Sequence, residues 1–254
     1  MDIDIDKSEG ILTITFNRID KKNAITSAMY QAMADGIRDA EADAAVKVIV
    51  IAGQPAIFTA GNDLEDFMKT PPTLAASPVF QFMMQMVQAT KPVMAVVSGA
   101  AVGIGTTLLL HCDLVYAGDN ARFSMPFSQL GLCPEFASSL LLPQGAGMRR
   151  AAEKLMLGEF FSADEAREMG LVNRVVASAE LGTYARAQAM KLAALPGSSL
   201  RATKHLMKSA GMAAIKERIT EENAAFSAML RAPEAKEAFA AFFEKRKPDF
   251  AQFG

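Results

Sequence analysis

The 254-residue chain contains no tryptophan, only two cysteines and only two histidines. Each scarcity removes a class of explanation. Cys112 and Cys133 are too few for a disulfide framework, and their apolar settings point to reduced, buried thiols in a cytoplasmic protein. His111 lies in "TTLLLHCDL", near the end of a buried helix, and His205 in "ATKHLMKSAG" on a surface helix. There is no His-x-x-x-His or Cys-x-x-Cys pairing, so no zinc site is expected. No apolar run reaches the roughly 20 residues of a membrane span. The acidic start "MDIDIDKSEG" fits neither a secretory signal nor a transit peptide. An excess of one charge is missing too, with 26 basic side chains against 28 acidic. That balance speaks against nucleic acid or an anionic membrane as the partner. A Gly-x-Ser-x-Gly nucleophile turn and a Walker loop are absent, and "SGAAVGIG" misses the dinucleotide-loop spacing.

What is present alternates between strand and helix patterns. "GILTITFNR" alternates in strand fashion after the turn signal Ser8-Glu9-Gly10, so residues 2–16 read as an antiparallel hairpin. "AITSAMYQAMADGIRDAEAD" reads as a helix capped by Thr26 or Ser27. "VKVIVIAG" and "KPVMAVVSG" are apolar runs closed by glycine, the pattern of strands buried on both faces of a parallel sheet. "DLVYAG" and "LVNRVV" are further strand candidates. Ser162 and Glu165 stand at capping-box spacing ahead of a helix closed by Gly170. After Pro196-Gly197 the pattern is helical to the end, with Pro233 separating two helices. The expected organisation is an α/β core over 1–195 and an all-helical region over 196–254.

Two segments carry chemistry. "VIVIAGQPAIFTAGNDLEDF" and "VMAVVSGAAVGIGTTLLL" each run from an apolar strand through glycine into a helix start. Glycine lets the backbone approach closely, and a helix start leaves N–H groups unpaired. Two such groups converging would polarise a carbonyl and stabilise an oxyanion. A third stretch, "LGLCPEFASS", holds a solitary acid, Glu135. Pro134 suits a first helical position, so one reading puts Glu135 in a solvated first turn, favoured by the helix dipole. The apolar neighbours Leu132, Pro134 and Phe136 argue for the opposite effect, a raised proton affinity of roughly 6–7.

The segments "FTAGNDLEDF", "SGAAVGIGTTLLLHCDLVYAG", "ARFSMPFSQLGLCPEFASSLLLP" and "SADEAREMGLVNRVV" resemble the enoyl-CoA hydratase/isomerase (crotonase) superfamily. The resemblance extends in order from about residue 5 to the C-terminal "EKRKPDF". It implies a crotonase-like ββα spiral core followed by a helical trimerisation region, giving a homotrimer or a dimer of trimers. It implies acyl-CoA thioester substrates and no metal or redox cofactor. By motif position the oxyanion donors are the backbone N–H groups of Asn62 and Ile104, within loops that include Gly61 and Gly103.

The two-glutamate hydratases of the superfamily carry acids at positions that here hold Thr107 and Phe127. The acid reappears at Glu135, where "PFSQLGLCPEFASS" is similar to the peroxisomal-type Δ3,Δ2-enoyl-CoA isomerases. The implied activity is isomerisation of a 3-enoyl-CoA with Glu135 as proton shuttle. The alternatives are a hydratase or another crotonase-type acyl-CoA enzyme, and a non-catalytic acyl-CoA-binding protein. The resemblance places Lys22 and Ala24 at the adenine and ribose, Ala60 and Leu64 at pantetheine, and Lys245 with Lys247 at the 3′-phosphate. Asp63 reads as a helix-start acid. Phe80, Met83, Met84 and Phe127 are candidate walls for the acyl chain.

Overall fold

A computed structural model describes residues 2–69 and 76–253. The chain opens with the antiparallel hairpin β1 (Ile3–Ser8) and β2 (Ile11–Phe16), turned at Glu9 and Gly10, both at positive φ. Helix α1 (Ser27–Ala42) follows, its Thr26 hydroxyl accepting from Met29 N–H as the expected cap. The chain then winds as a spiral. β3 (Val48–Ala52) is followed by β4 (Ile57–Thr59), helix α2 (Leu64–Lys69) and helix α3 (Pro78–Gln88). β5 (Val93–Val97) leads to β6 (Ala100–Val102) and the single turn α4 (Ile104–Thr107). β7 (Leu114–Gly118) leads to β8 (Arg122–Ser124), then to helices α5 (Ser138–Ala146) and α6 (Met148–Ala152). β9 (Phe161–Ser162), α7 (Ala163–Glu168) and β10 (Arg174–Val176) complete the core. The Ser162–Glu165 capping box is formed reciprocally.

Each turn of the spiral gives one strand to each of two sheets. The larger has the order β1-β2-β3-β5-β7-β10 and the smaller β4-β6-β8-β9. Beyond the β1–β2 hairpin the larger sheet is parallel throughout. Its central strands are apolar along their whole length because both faces are covered, by α1 and α3 on one side and α8 (Leu181–Ala193) on the other. The charged strand β1 closes one edge, which discourages pairing with another chain.

The helical region begins at Gly197 with α9 (Gly197–Lys208), then α10 (Met212–Met229) and α11 (Pro233–Glu244). Its buried side chains Ile219, Phe226, Ala235 and Phe239 join the same hydrophobic cluster as the spiral. Asp113 ties α9 to the spiral by ion pairs of 2.7 Å to both Lys204 and Lys208. Among the described residues no helix is long and apolar enough to cross a membrane.

Candidate active site

Strands β4 and β6 lie side by side and parallel, Thr59 opposite Ala101, so the loops leaving their C-terminal ends are neighbours. The first loop is fastened from both sides. Ala60 N–H donates to Lys22 O (3.0 Å), Ile25 N–H to Gly61 O (2.8 Å) and Asp63 N–H to Ile25 O (2.9 Å). Asn23, wholly buried at positive φ, donates through its amide to Phe58 O at 3.0 Å. Gly61 has φ +88, and a Cβ there would stand 2.9 Å from Val102 O. The second loop is pinned by Gly103 N–H to Ser124 O (2.9 Å) and by the Thr106 hydroxyl to Ala101 O (2.6 Å). Among the described residues, no carbonyl accepts from Asn62 N–H or Ile104 N–H. Both amides are thus free to meet a ligand.

Both loops face a cavity of about 1110 Å³. Asn62, Gly61, Ala60, Leu64, Gly103, Lys22, Ala24 and Glu135 from the sequence-based set are on its wall. Ile104, fully buried, is not among the residues of the wall, whereas the preceding Gly103 is. Lys245 is not on the wall. It takes up the left-handed cap of α11 (φ 55), and Arg246 and Lys247 just after it are on the wall instead. Asp63 is the helix-start acid expected, accepting from Glu65 and Asp66 N–H and pairing with Arg18 at 2.6 Å. Phe127 lines the cavity, and Phe80 and Met83 line a small recess of about 20 Å³ behind Glu135. Met84 lines neither among the described residues.

Four acids line the cavity: Asp63, Glu65, Glu135 and Glu159. Glu65 and Glu159 are exposed. Glu135 is 6% exposed, and its Oε1 has no hydrogen-bond partner. It separates the cavity from the recess, sharing both walls with Phe67 and Phe226. Burial, reinforced by the nearby Glu222, pushes its carboxyl up to about 8. The helix-dipole reading of this residue is overturned. Helix α5 starts only at Ser138, because Phe136 (φ 61) and Ala137 (φ 55) adopt left-handed backbone that no helix accommodates. Each such non-glycine residue costs about 1–2 kcal/mol, so the turn has to be held from outside.

Two buried side chains hold it. His111 donates from Nε2 to Phe136 O at 2.7 Å and stacks on the Phe136 ring at 3.9 Å. Burial lowers this imidazole to about 4, so it is neutral and carries its proton on Nε2. Glu222 of α10 accepts from Ala137 N–H, Ser139 N–H and the Ser139 hydroxyl. Tyr30 of α1, wholly buried, donates its hydroxyl to the Asn62 side-chain oxygen and so fixes the residue bearing one free amide. His111, Glu222 and Tyr30 carried no functional signal in the sequence. A residue that acts through a tertiary contact leaves no local motif. Cys112 and Cys133 are unpaired and half-buried rather than buried, with burial raising their thiols to about 12 and about 11.

The mouth is basic, with Arg18, Lys21, Lys22, Arg246 and Lys247 on its wall. Arg18 is engaged by Asp63, and Arg246 by Glu237 and Glu244. Among the described residues no carboxylate pairs with Lys21, Lys22 or Lys247.

Comparisons with known proteins bear on the family and the fold. Enoyl-CoA delta isomerase 2 of Rattus norvegicus is 39% identical over 205 residues, covering 78% of this chain and 52% of that protein. The chain thus spans about half the length of that relative. 2,3-Dehydroadipyl-CoA hydratase of Escherichia coli is 30% identical over 97% of both chains. The solved structure of Pseudomonas aeruginosa OdaA superposes with a TM-score of 0.93 at 48% identity, covering 95% of this chain and 98% of that one. The sequence profile described as enoyl-CoA hydratase/isomerase matches residues 6–253, and the chain belongs to that family.

Proposed function

We propose that the protein is an enoyl-CoA isomerase that converts a 3-enoyl-CoA to the 2-trans-enoyl-CoA, with Glu135 as its proton shuttle. The observation that carries this reading is one buried, unpartnered carboxylate on the cavity wall, with non-acidic Thr107 and Phe127 buried at the other two family acid positions. In this reading the thioester oxygen receives hydrogen bonds from Asn62 and Ile104 N–H. The ionised form of Glu135, which the raised carboxyl reaches in quantity only as pH approaches about 8, takes a proton from C2, and the electron pair moves into the thioester as a dienolate. The same group, now a carboxylic acid, returns the proton at C4 and the double bond lies between C2 and C3. No water takes part, and the apolar wall of Phe127, Leu132 and Phe226 keeps it out. The chemistry requires neither metal nor redox cofactor.

The acyl chain lies in the large cavity beside Glu135, against Phe127 and Leu132, and CoA extends past Ala60 and Leu64 to the basic mouth. A cytoplasmic setting, consistent with the unpaired cysteines, belongs to the same reading. So does a homotrimer or dimer of trimers. Leu206 and Met207 on α9 stand 77% and 72% exposed, and light scattering in solution reads the assembly directly.

The test is Glu135→Gln assayed on a 3-enoyl-CoA. Loss of turnover by at least ~10²-fold is expected, since positioned acid–base groups supply 10²–10⁴. Turnover at the wild-type rate sinks the proposal. Product analysis from a 2-enoyl-CoA separates the hydratase reading, because accumulation of a 3-hydroxyacyl-CoA shows that water is activated.

A further inference from the structure

We propose that Glu222 is the positioning residue of this site, fastening the strained Glu135–Ser139 turn to α10 and setting a second buried acid against Glu135. The proposal rests on the reading of Glu135 as proton shuttle. The buried face of α10 is Ile219, Glu222 and Phe226. Ile219 and Phe226 line the recess together with Glu135, and a carboxylate stands between them where the spacing calls for an apolar side chain. Its two oxygens are engaged by three donors: Ala137 N–H at 2.5 Å, Ser139 N–H at 3.0 Å and the Ser139 hydroxyl at 2.6 Å. All three belong to the turn that directly follows Glu135. Ala137 is one of the two residues with positive φ, so the bond from Glu222 fixes the conformation that aims Glu135 into the cavity.

The two acids are unequal. Glu222 has its hydrogen bonds made in the ionised form, whereas Oε1 of Glu135 has none. Burial raises Glu222 also, but the Ser139 and Ala137 donors and the charge of Arg218 oppose it. The three donors therefore favour the negative charge on Glu222 over Glu135. Other titratable or charged groups around the pair are Arg218 on α10, Tyr30 on α1, Asp66 on α2, His111 after α4 and Cys133 on the same loop. Burial leaves Tyr30 and His111 neutral at pH 7. A shuttle must accept and release a proton with comparable ease, and a fixed charge beside it moves it toward that balance.

The experiment compares Glu222→Gln with wild type in the pH dependence of kcat/KM for a 3-enoyl-CoA. Loss of the charge is expected to move the midpoint about 1 pH unit lower with KM nearly unchanged. Ser139→Ala keeps the charge and loosens the turn, so kcat falls severalfold while the midpoint stays. A merely structural role moves neither midpoint. Infrared titration of the Glu135 carboxyl, assigned by its disappearance in Glu135→Gln, gives the same comparison without turnover. If Glu135→Gln is fully active, the isomerase reading fails while the infrared titration still decides Glu222. A Glu222→Gln protein that is folded by circular dichroism and shares the wild-type midpoint overturns the proposal.

Discussion

Glu135 shows how one residue can be chosen from sequence for a partly mistaken reason. Its solitude in an apolar run marked it, and the expected apolar surround is there. The expected helix turn is not, because positive φ at Phe136 and Ala137 is set by His111 and Glu222, both distant in sequence. The raised carboxyl also has a consequence for stability. The folded state holds the Glu135 proton up to about pH 8, whereas an unfolded chain releases it near 4.5. Between those values the folded state binds more protons, so stability falls as pH rises and the loss is complete above about 8. Glu135→Gln has no charge to bury. It is expected to match wild type near pH 4.5 and to exceed it at pH 8 by up to about 3–5 kcal/mol. Urea melts of both proteins at the two pH values provide the measurement, and a constant difference would contradict the assignment of that proton.

Among the elements, the strands were the most legible. Apolar runs closed by glycine located β3, β5 and β7, because strands covered on both faces leave no alternative composition. The sequence could not place α10's buried acid, since a glutamate within "TEENAAF" reads as a solvated helix face until the turn it fastens is seen. The oxyanion loops fell between these cases. Their glycines were visible, but the reason each is needed is tertiary. At Gly61 a Cβ would press on Val102 O at 2.9 Å and the φ of +88 is unsuited to any L side chain. Gly61→Ala is therefore expected to cost roughly 1–3 kcal/mol in urea unfolding. It should also lower kcat at least tenfold, because relief of the contact displaces the adjacent Asn62 N–H. Removal of one oxyanion donor typically costs 10²–10³ in rate, so a partial displacement falls below that. Wild-type kcat in a destabilised Gly61→Ala would mean that Asn62 N–H does not serve the reaction.

At the scale of the molecule, the cavity mouth is assembled from the two ends of the chain. Lys21 and Lys22 arrive on the loop after the N-terminal hairpin, and Lys247 on the turn that ends α11. Arg18 and Arg246 share the mouth, but their acidic partners spend their charge within the protein. Among the described residues of this wall only the lysines carry uncompensated positive charge, and they stand exposed, where screening would limit each contact with a phosphate to about 0.2–1 kcal/mol. Lys22→Ala and Lys247→Ala are accordingly expected to raise KM for an acyl-CoA about two- to fivefold each, with kcat unchanged, and less so at high salt. Lys245→Ala serves as the internal comparison, two residues from Lys247 yet off the wall, and its KM should match wild type. Repeating the series with a substrate lacking the 3′-phosphate assigns the contact. If the lysine effects vanish there, the charge at the mouth meets that phosphate. If they persist, it meets the pyrophosphate, and an equal loss in Lys245→Ala would mean that general attraction, not a placed side chain, draws the substrate in.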